Sequence, residues 1–191
     1  AYVQAMNVKL TQKINRYAVI VDKKTAALIT DQHRQVFDYV IELTDDYLTD
    51  SARFANEWQV FQLTPFKETV KLESDLLFTR SIDHWWDAFR LRDVVLSSGC
   101  KNYLDEKSNV RRYRQFFDDN ELPDVYNGLM YFRYSQHAAL FFSKAREVFE
   151  NWQDIKEYAL KNCREDTPST DVLYAITAQL TNPELSTLPS A

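Results

Sequence analysis

Val3, Met6, Leu10 and Ile14 recur every three to four positions, a spacing that predicts an amphipathic helix over residues 1–15. The run YAVIV, residues 17–21, is continuously apolar and predicts a short strand buried on both faces, as in a parallel sheet. Asp22, Lys23 and Lys24 end it. A helix over residues 25–36 and a second buried strand, DYVIEL at 38–43, follow. Helix and strand alternating this early predict a layered α/β fold.

Past an acidic connection at 45–50, Phe54, Trp58 and Phe61 share one face of a helix predicted over 51–63, which Thr64 and Pro65 punctuate. A third strand is predicted at 69–72, a helix at 81–89 beginning at the cap Ser81, and a fourth strand, DVVLSS at 93–98, ending at Gly99. Residues 101–124 are charged and lack periodicity, which predicts an excursion or mobile loop. YNGLMYFRY at 126–134 is strand-like. A long helix is predicted over 136–161 with Leu140, Phe141, Ala145, Val148, Phe149 and Trp152 inward, then a cap-rich turn at 165–169 and a last helix over 170–180.

The chain has 191 residues, 45% of them hydrophobic, enough for one core and one domain. Its net charge of -5 provides no general basic field for nucleic acid or an anionic membrane. Arg111, Arg112 and Arg114 around Tyr113 form either a local basic patch or a solvated loop. Cys100 and Cys163 are too few for a disulfide framework and read as core thiols in a reducing compartment. No apolar run reaches the roughly 20 residues that span a bilayer, and the chain does not open on a signal peptide. A cytoplasmic protein is therefore expected. With only two glycines, Gly99 and Gly128, neither a Walker nor a dinucleotide-binding loop can be written.

The chemistry-bearing stretch is VKLESDLLF, residues 70–78. Glu73 and Asp75 stand at the carboxyl end of the third strand among apolar residues, where desolvating a charge is costly. Ligands of open α/β sheets bind beyond the carboxyl ends of strands. Residues two apart in an extended segment project to one side, so both acids can approach one ion. Mg²⁺ or Mn²⁺ suits such a pair, because it takes one or two carboxylates and lets substrate phosphates complete its shell. Two solvated acids at a strand exit are the plain alternative, and an E-x-D triplet alone has little specificity.

KLESDLLF resembles the D-x-D segment of the GT-A glycosyltransferases, the nucleotide-diphospho-sugar transferase fold, and especially its glycogenin-like members. QLTPFKETVKLESDLLF follows that family's order of helix, short strand, D-x-D and apolar pair. DVYNGLMYFRYS is similar to the segment lining the sugar and acceptor pocket, and STDVLYAI to the acidic helix start near the catalytic centre. YAVIVD and DYVIEL match the second and third strands of the nucleotide-binding half. The resemblance covers residues 1–180, with 181–191 as a tail. It implies a single-domain, Rossmann-like GT-A fold with a mixed, mostly parallel sheet flanked by helices.

The activity so implied is metal-dependent transfer of a hexosyl or pentosyl group from a nucleoside-diphosphate sugar, in the first place a UDP-sugar, to an acceptor hydroxyl. The acceptor would be a protein, a glycan or a modified nucleic acid. On this resemblance Glu73 and Asp75 hold Mn²⁺ or Mg²⁺, while Lys67, Ser74 and Gly128 contact the donor. Asn127 hydrogen-bonds a sugar or acceptor hydroxyl, and Asp171 orients the acceptor or serves as base. The plain readings are a solvated Lys67, a turn role for Asn127 and a capping role for Asp171. Trp85 and Trp86 either pack a helix on the sheet or offer a ring to a sugar.

The chain departs from the family in several places. Glu73 replaces an aspartate, no small residue separates Asn127 from Gly128, and Thr170-Asp171 stands where Asp-Gln is common. No histidine follows His137 to complete a metal shell, and the family's first strand would precede Ala1. A related nucleotidyltransferase, whose glycine-rich opening has no counterpart here, and a degenerate GT-A domain acting as a non-catalytic interaction module are the other two readings.

Overall fold

A computed structural model describes residues 1–47, 56–99 and 112–182. Runs rich in aliphatic or aromatic side chains form most of the strands. β1 (Ala18–Val21) and β2 (Tyr39–Glu42) pair in parallel, Ala18 opposite Tyr39 and Val21 opposite Glu42. β3 (Glu68–Leu72) and β4 (Val94–Ser98) flank β5 (Val125–Arg133), both antiparallel to it, in the order β3-β5-β4. The protein is mixed α/β. The expectation of a mostly parallel sheet is corrected: among the described residues only β1 and β2 are parallel, and they form a sheet of their own. β1 and β2 are half-buried along most of their length, so neither is covered on both faces as the apolar runs suggested.

The core lies on the three-stranded sheet. Val94, Leu96, Met130 and Phe132 point to one face, where α7 (Gln136–Glu150), α9 (Thr170–Thr181) and Trp58 cover them. Val95, Leu129 and Tyr131 point to the other, onto Ile82 and the short α5 (Trp85–Phe89), with Tyr131 stacked on Phe89 at 5.2 Å. A strand covered on both faces needs side chains that are apolar without alternation, which is the pattern of β5. Trp86 belongs to this second cluster, whereas Trp85 is 40% exposed.

Several helices differ from expectation for local reasons. α1 (Tyr2–Thr11) forms, but Val3, Met6, Leu10 and Ile14 are exposed, and the buried face carries Gln4, Ala5 and Val8. The helix expected over 25–36 is two single turns, α2 (Lys23–Ala26) capped by Asp22 and α3 (Asp31–Arg34) capped by Thr30, because each cap offers the backbone a new start. Asp83 does not open α5; its carboxylate accepts from the backbone N–H groups of Lys13 and Ile14, so the helix begins only at Trp85. The helix expected over 51–63 is described as a 3-10 turn (Glu57–Gln59) followed by α4 (Val60–Leu63); Phe54 lies outside the described residues. α6 (Arg112–Asp119) replaces part of the expected loop, and the long C-terminal helix breaks at Asn151 into α7 and α8 (Trp152–Tyr158). Among the described residues no helix is long and apolar enough to cross a membrane.

Candidate functional site

Glu73 follows the last residue of β3. Its N–H donates to the Gly128 carbonyl at 3.1 Å, and Leu76 N–H returns to the Glu73 carbonyl at 3.2 Å. Glu73, Ser74 and Asp75 therefore sit in a tight turn and not in extended chain, so the same-side argument drawn from strand geometry does not apply. The turn brings the two acids together by another route. The Glu73 carboxyl is raised above its ordinary range, first by burial and then by the charges of Glu57, Asp171 and Asp75, with Lys71 opposing. Among the described residues neither Glu73 nor Asp75 is in an ion pair. Ser74 and Asp75 are exposed, and Ser74 lines a cavity of about 470 Å³ together with Glu57 and Lys71.

Asn127 and Gly128 reach the same place through a bulge. Leu96 and Ser97 are adjacent in β4, yet their partners in β5 are Met130 and Tyr126, so residues 127–129 face no residue of β4. A bulge bends the strand and re-aims its side chains. Ser97 Oγ donates to the Leu129 carbonyl at 2.6 Å and satisfies the displaced backbone. Asn127 is thus a strand residue, not a turn residue. It is 1% exposed, its N–H donates to Asp171 Oδ1 at 2.7 Å and its Nδ2 to Glu57 Oε2 at 3.0 Å. Its Oδ1 is buried without a hydrogen-bond partner. Gly128 accommodates a ring: a Cβ there would overlap Tyr126, with Cδ1 and Cζ at 3.1 Å. Its contribution is to packing and to the Glu73 bond.

Asp171 stands in the first turn of α9, with Ser169 as the cap. Besides Asn127 N–H it meets Arg114 at 3.6 Å. Arg114 is buried, donates to the Val125 carbonyl at 2.7 Å, pairs with Asp124 at 2.7 Å and lies over the Phe117 ring. This corrects the solvated-loop reading for Arg114; Arg111 lies outside the described residues. The sequence reading missed Glu57 and Lys71. Lys71 projects from β3 and pairs with the Glu57 carboxylate, its side chain 10% exposed. The Glu57 backbone carbonyl accepts from the buried Tyr174 hydroxyl at 3.2 Å. A lysine between Val70 and Leu72 in a strand expected to be buried was the legible signal, since such a charge requires a partner.

Lys67 is not brought to this site. It is exposed at the amino end of β3, six residues from Glu73, which at about 3.3 Å per residue is about 20 Å away. His84 is exposed at the start of α5, and Cys163 is a free, half-buried thiol. Cys100 lies outside the described residues.

The Glu73 carboxyl feels the charges of Glu57, Asp171 and Asp75, while Glu57 pairs with Lys71, and Asp124 and Asp171 with Arg114, so acids outnumber cations here. Such an excess favours an added cation. Among the described residues no three metal-ligating side chains converge, so the site is not a protein-only cage. The free acids are Glu73 and Asp75, and two carboxylates with phosphate oxygens make an ordinary Mg²⁺ or Mn²⁺ shell. Compared with protein-family models and with curated proteins, the chain matches none.

Proposed function

We propose that this protein is a GT-A-type glycosyltransferase that moves a sugar from a nucleoside-diphosphate donor, a UDP-sugar in the first place, to an acceptor hydroxyl. The observation that carries the reading is that Glu73, Asp75, Asn127 and Asp171 come near one another at the carboxyl end of β3, with Asn127 N–H bonded to Asp171 and the Glu73 carboxyl raised in part by the charges of Asp171 and Asp75. The sequence resemblance had assigned those four residues to one site. Glu73 and Asp75 would hold Mn²⁺ or Mg²⁺, which when bound neutralises charge on a departing diphosphate. The turn at Ser74 leaves Asp75 exposed and Glu73 half-buried, while Gln4, donating to the Glu73 and Leu76 carbonyls, fixes the turn's backbone. Asn127 Oδ1 offers a buried acceptor to a sugar hydroxyl. Asp171, held by Arg114 and by Asn127 N–H, would accept a proton from an acceptor hydroxyl.

A non-catalytic binding module is the second reading. It is favoured by Asn127 donating its backbone N–H to Asp171 and its Nδ2 to Glu57, which engages both carboxylates within the chain. A thermal melt with UDP and Mn²⁺ separates the two. At ligand about 100-fold above its dissociation constant the stabilisation is ~2.7 kcal/mol, several degrees for a chain of this size. The transferase reading expects that shift, its loss in Asp75→Ala, and Mn²⁺-dependent hydrolysis of one UDP-sugar in a donor screen. UDP binding without hydrolysis of any donor would support the module, and no response to any nucleoside diphosphate would remove the transferase reading.

A further inference from the structure

β1 and β3 each pair with a neighbour along one edge only, and the cavity of about 470 Å³ lies between their other edges, lined by Ala18, Ile20, Val70 and Leu72. The hydrogen-bond parity shows which backbone groups face it. Tyr17 and Val21 accept from β2 and its flank, from Tyr39 N–H at 3.3 Å and Leu43 N–H at 2.9 Å, so Ala18 and Ile20 direct their N–H and C=O groups the other way. On β3, Glu73 N–H and the Lys67 carbonyl bond toward β5, so Val70 and Leu72 direct theirs into the cavity. Among the described residues neither the N–H nor the C=O group of any of these four residues has a hydrogen-bond partner. The remaining wall is largely apolar, with Val8, Val60, Leu63, Phe66, Ile82 and Trp86. Of its charged side chains, Glu68 and Lys71 are in ion pairs, with Arg90 and Glu57, while the exposed Arg16 donates to the Tyr39 hydroxyl and lies over its ring.

We propose that the cleft between β1 and β3 is an acceptor slot for one extended, uncharged, apolar polypeptide strand. Two rows of unpaired backbone groups facing each other across apolar side chains ask for both donors and acceptors at the strand repeat. An alkyl chain fills the volume and leaves the rows unmet. A helix satisfies its own backbone and, at about 10 Å across, has none to offer. The occupant continues the ladders on both sides, turning β2-β1 and β3-β5-β4 into one six-stranded sheet, and its middle residues carry no charge because the wall they meet is apolar. This inference does not rest on the transferase reading.

The test uses the acetylated, amidated peptide KVAVIVTK, free at millimolar concentration and also fused ahead of Ala1 through a Gly-Ser linker, which itself sets a millimolar effective concentration. Amide hydrogen exchange is followed residue by residue. The slot predicts that the peptide slows exchange at Ala18, Ile20, Val70 and Leu72 at least tenfold, leaving Val19 and Lys71, already in ladders, unchanged. Val70→Pro removes a slot-facing N–H without touching the β3-β5 ladder and abolishes the effect. Should that variant fail to fold, a peptide N-methylated at alternate residues gives the same result. The proposal is overturned if the four amides are already protected in the free monomer, if neither peptide form protects them, if decanoic acid protects them equally, or if protection accompanies dimerisation of the chain itself.

Discussion

Lys71→Met tests whether the charge cluster is arranged as described. Lys71 is 10% and Glu57 22% exposed, and removing one partner of a buried pair costs about 3–5 kcal/mol because the other is left uncompensated. Glu57 keeps the Asn127 Nδ2 hydrogen bond at 3.0 Å, and such a bond to a charged group is worth about 1.5 kcal/mol or more. A loss of roughly 2–3 kcal/mol at pH 7 is therefore expected, about 5–10 °C in Tm for a chain of this length. Urea melts at pH 7 and pH 4 measure it. Lys71 holds the Glu73 carboxyl down against burial and the neighbouring acids, so its removal raises that carboxyl further. A carboxyl raised in the folded state binds more protons folded than unfolded, so stability falls as pH rises through the window above its unfolded value. The variant's deficit should shrink toward pH 4. Replacing the pair together, Glu57→Leu with Lys71→Met, should recover most of the loss. A single variant within about 0.5 kcal/mol of the parent, or a double variant no more stable than the single, would refute the arrangement.

Glu73→Gln removes a carboxyl raised by burial and by Glu57, Asp171 and Asp75, so it should stabilise the protein above the unfolded glutamate range and leave stability unchanged at pH 3; denaturant melts across pH read the crossover. The same variant should lose any Mn²⁺-dependent shift with UDP, the trade of function against stability expected of a binding acid. Gly128→Ala sets a methyl against the Tyr126 ring, which is half-exposed and can retreat, so about 1–2 kcal/mol is expected, most of it recovered in Tyr126→Ala with Gly128→Ala by a double-mutant cycle. Gln4→Leu strands the Leu76 carbonyl, now bonded at 2.8 Å, and the Tyr17 hydroxyl, and should cost about 2 kcal/mol in melts while speeding proteolysis within residues 73–80.

All five described strands were legible within a residue or two, most of them because short aliphatic runs bounded by charges have few other uses. Their pairing was not. β5 lies last in the chain and inserts between β3 and β4, and no local pattern encodes which earlier strands it joins. The buried face of α1 was misleading for a specific reason: Gln4 and Gln12 are 1% and 8% exposed because their amides satisfy backbone groups of residues 73–82. Hydrophobic periodicity cannot detect burial driven by hydrogen bonds. Arg114 escaped similarly, since its partners Asp124 and Asp171 lie 10 and 57 positions away in sequence. Within the site, the acids and Asn127 could be named from motif order, and the Asn-Gly pair inside an apolar run carried the signal of a bulge. Glu57 sits outside every motif and was reachable only through the demand that Lys71 find a counter-charge.

The α1 glutamines also decide how the acid turn is held. The backbone of residues 73–82 takes few bonds from the sheet beyond Glu73 N–H. Its carbonyls and amides are met instead by Ala1, Gln4, Asn7 and Gln12, with Asn7 exchanging two bonds with Phe78 at 2.7 and 2.9 Å. The position of Glu73 and Asp75 relative to Asp171 is therefore set by where α1 lies, and α1 is also a wall of the cleft between β1 and β3 through Gln4, Val8 and Gln12. Anything that fills that cleft presses on the helix that pins the acids. Filling the slot and ordering the site are one mechanical problem in this fold, and a strand seated there should narrow the separations accessible to Glu73 and Asp75. Spin labels on the exposed Leu10 and Leu180, measured with and without the fused peptide, read that coupling as a narrower distance distribution, and an unchanged distribution would show that the site is ordered independently of the cleft.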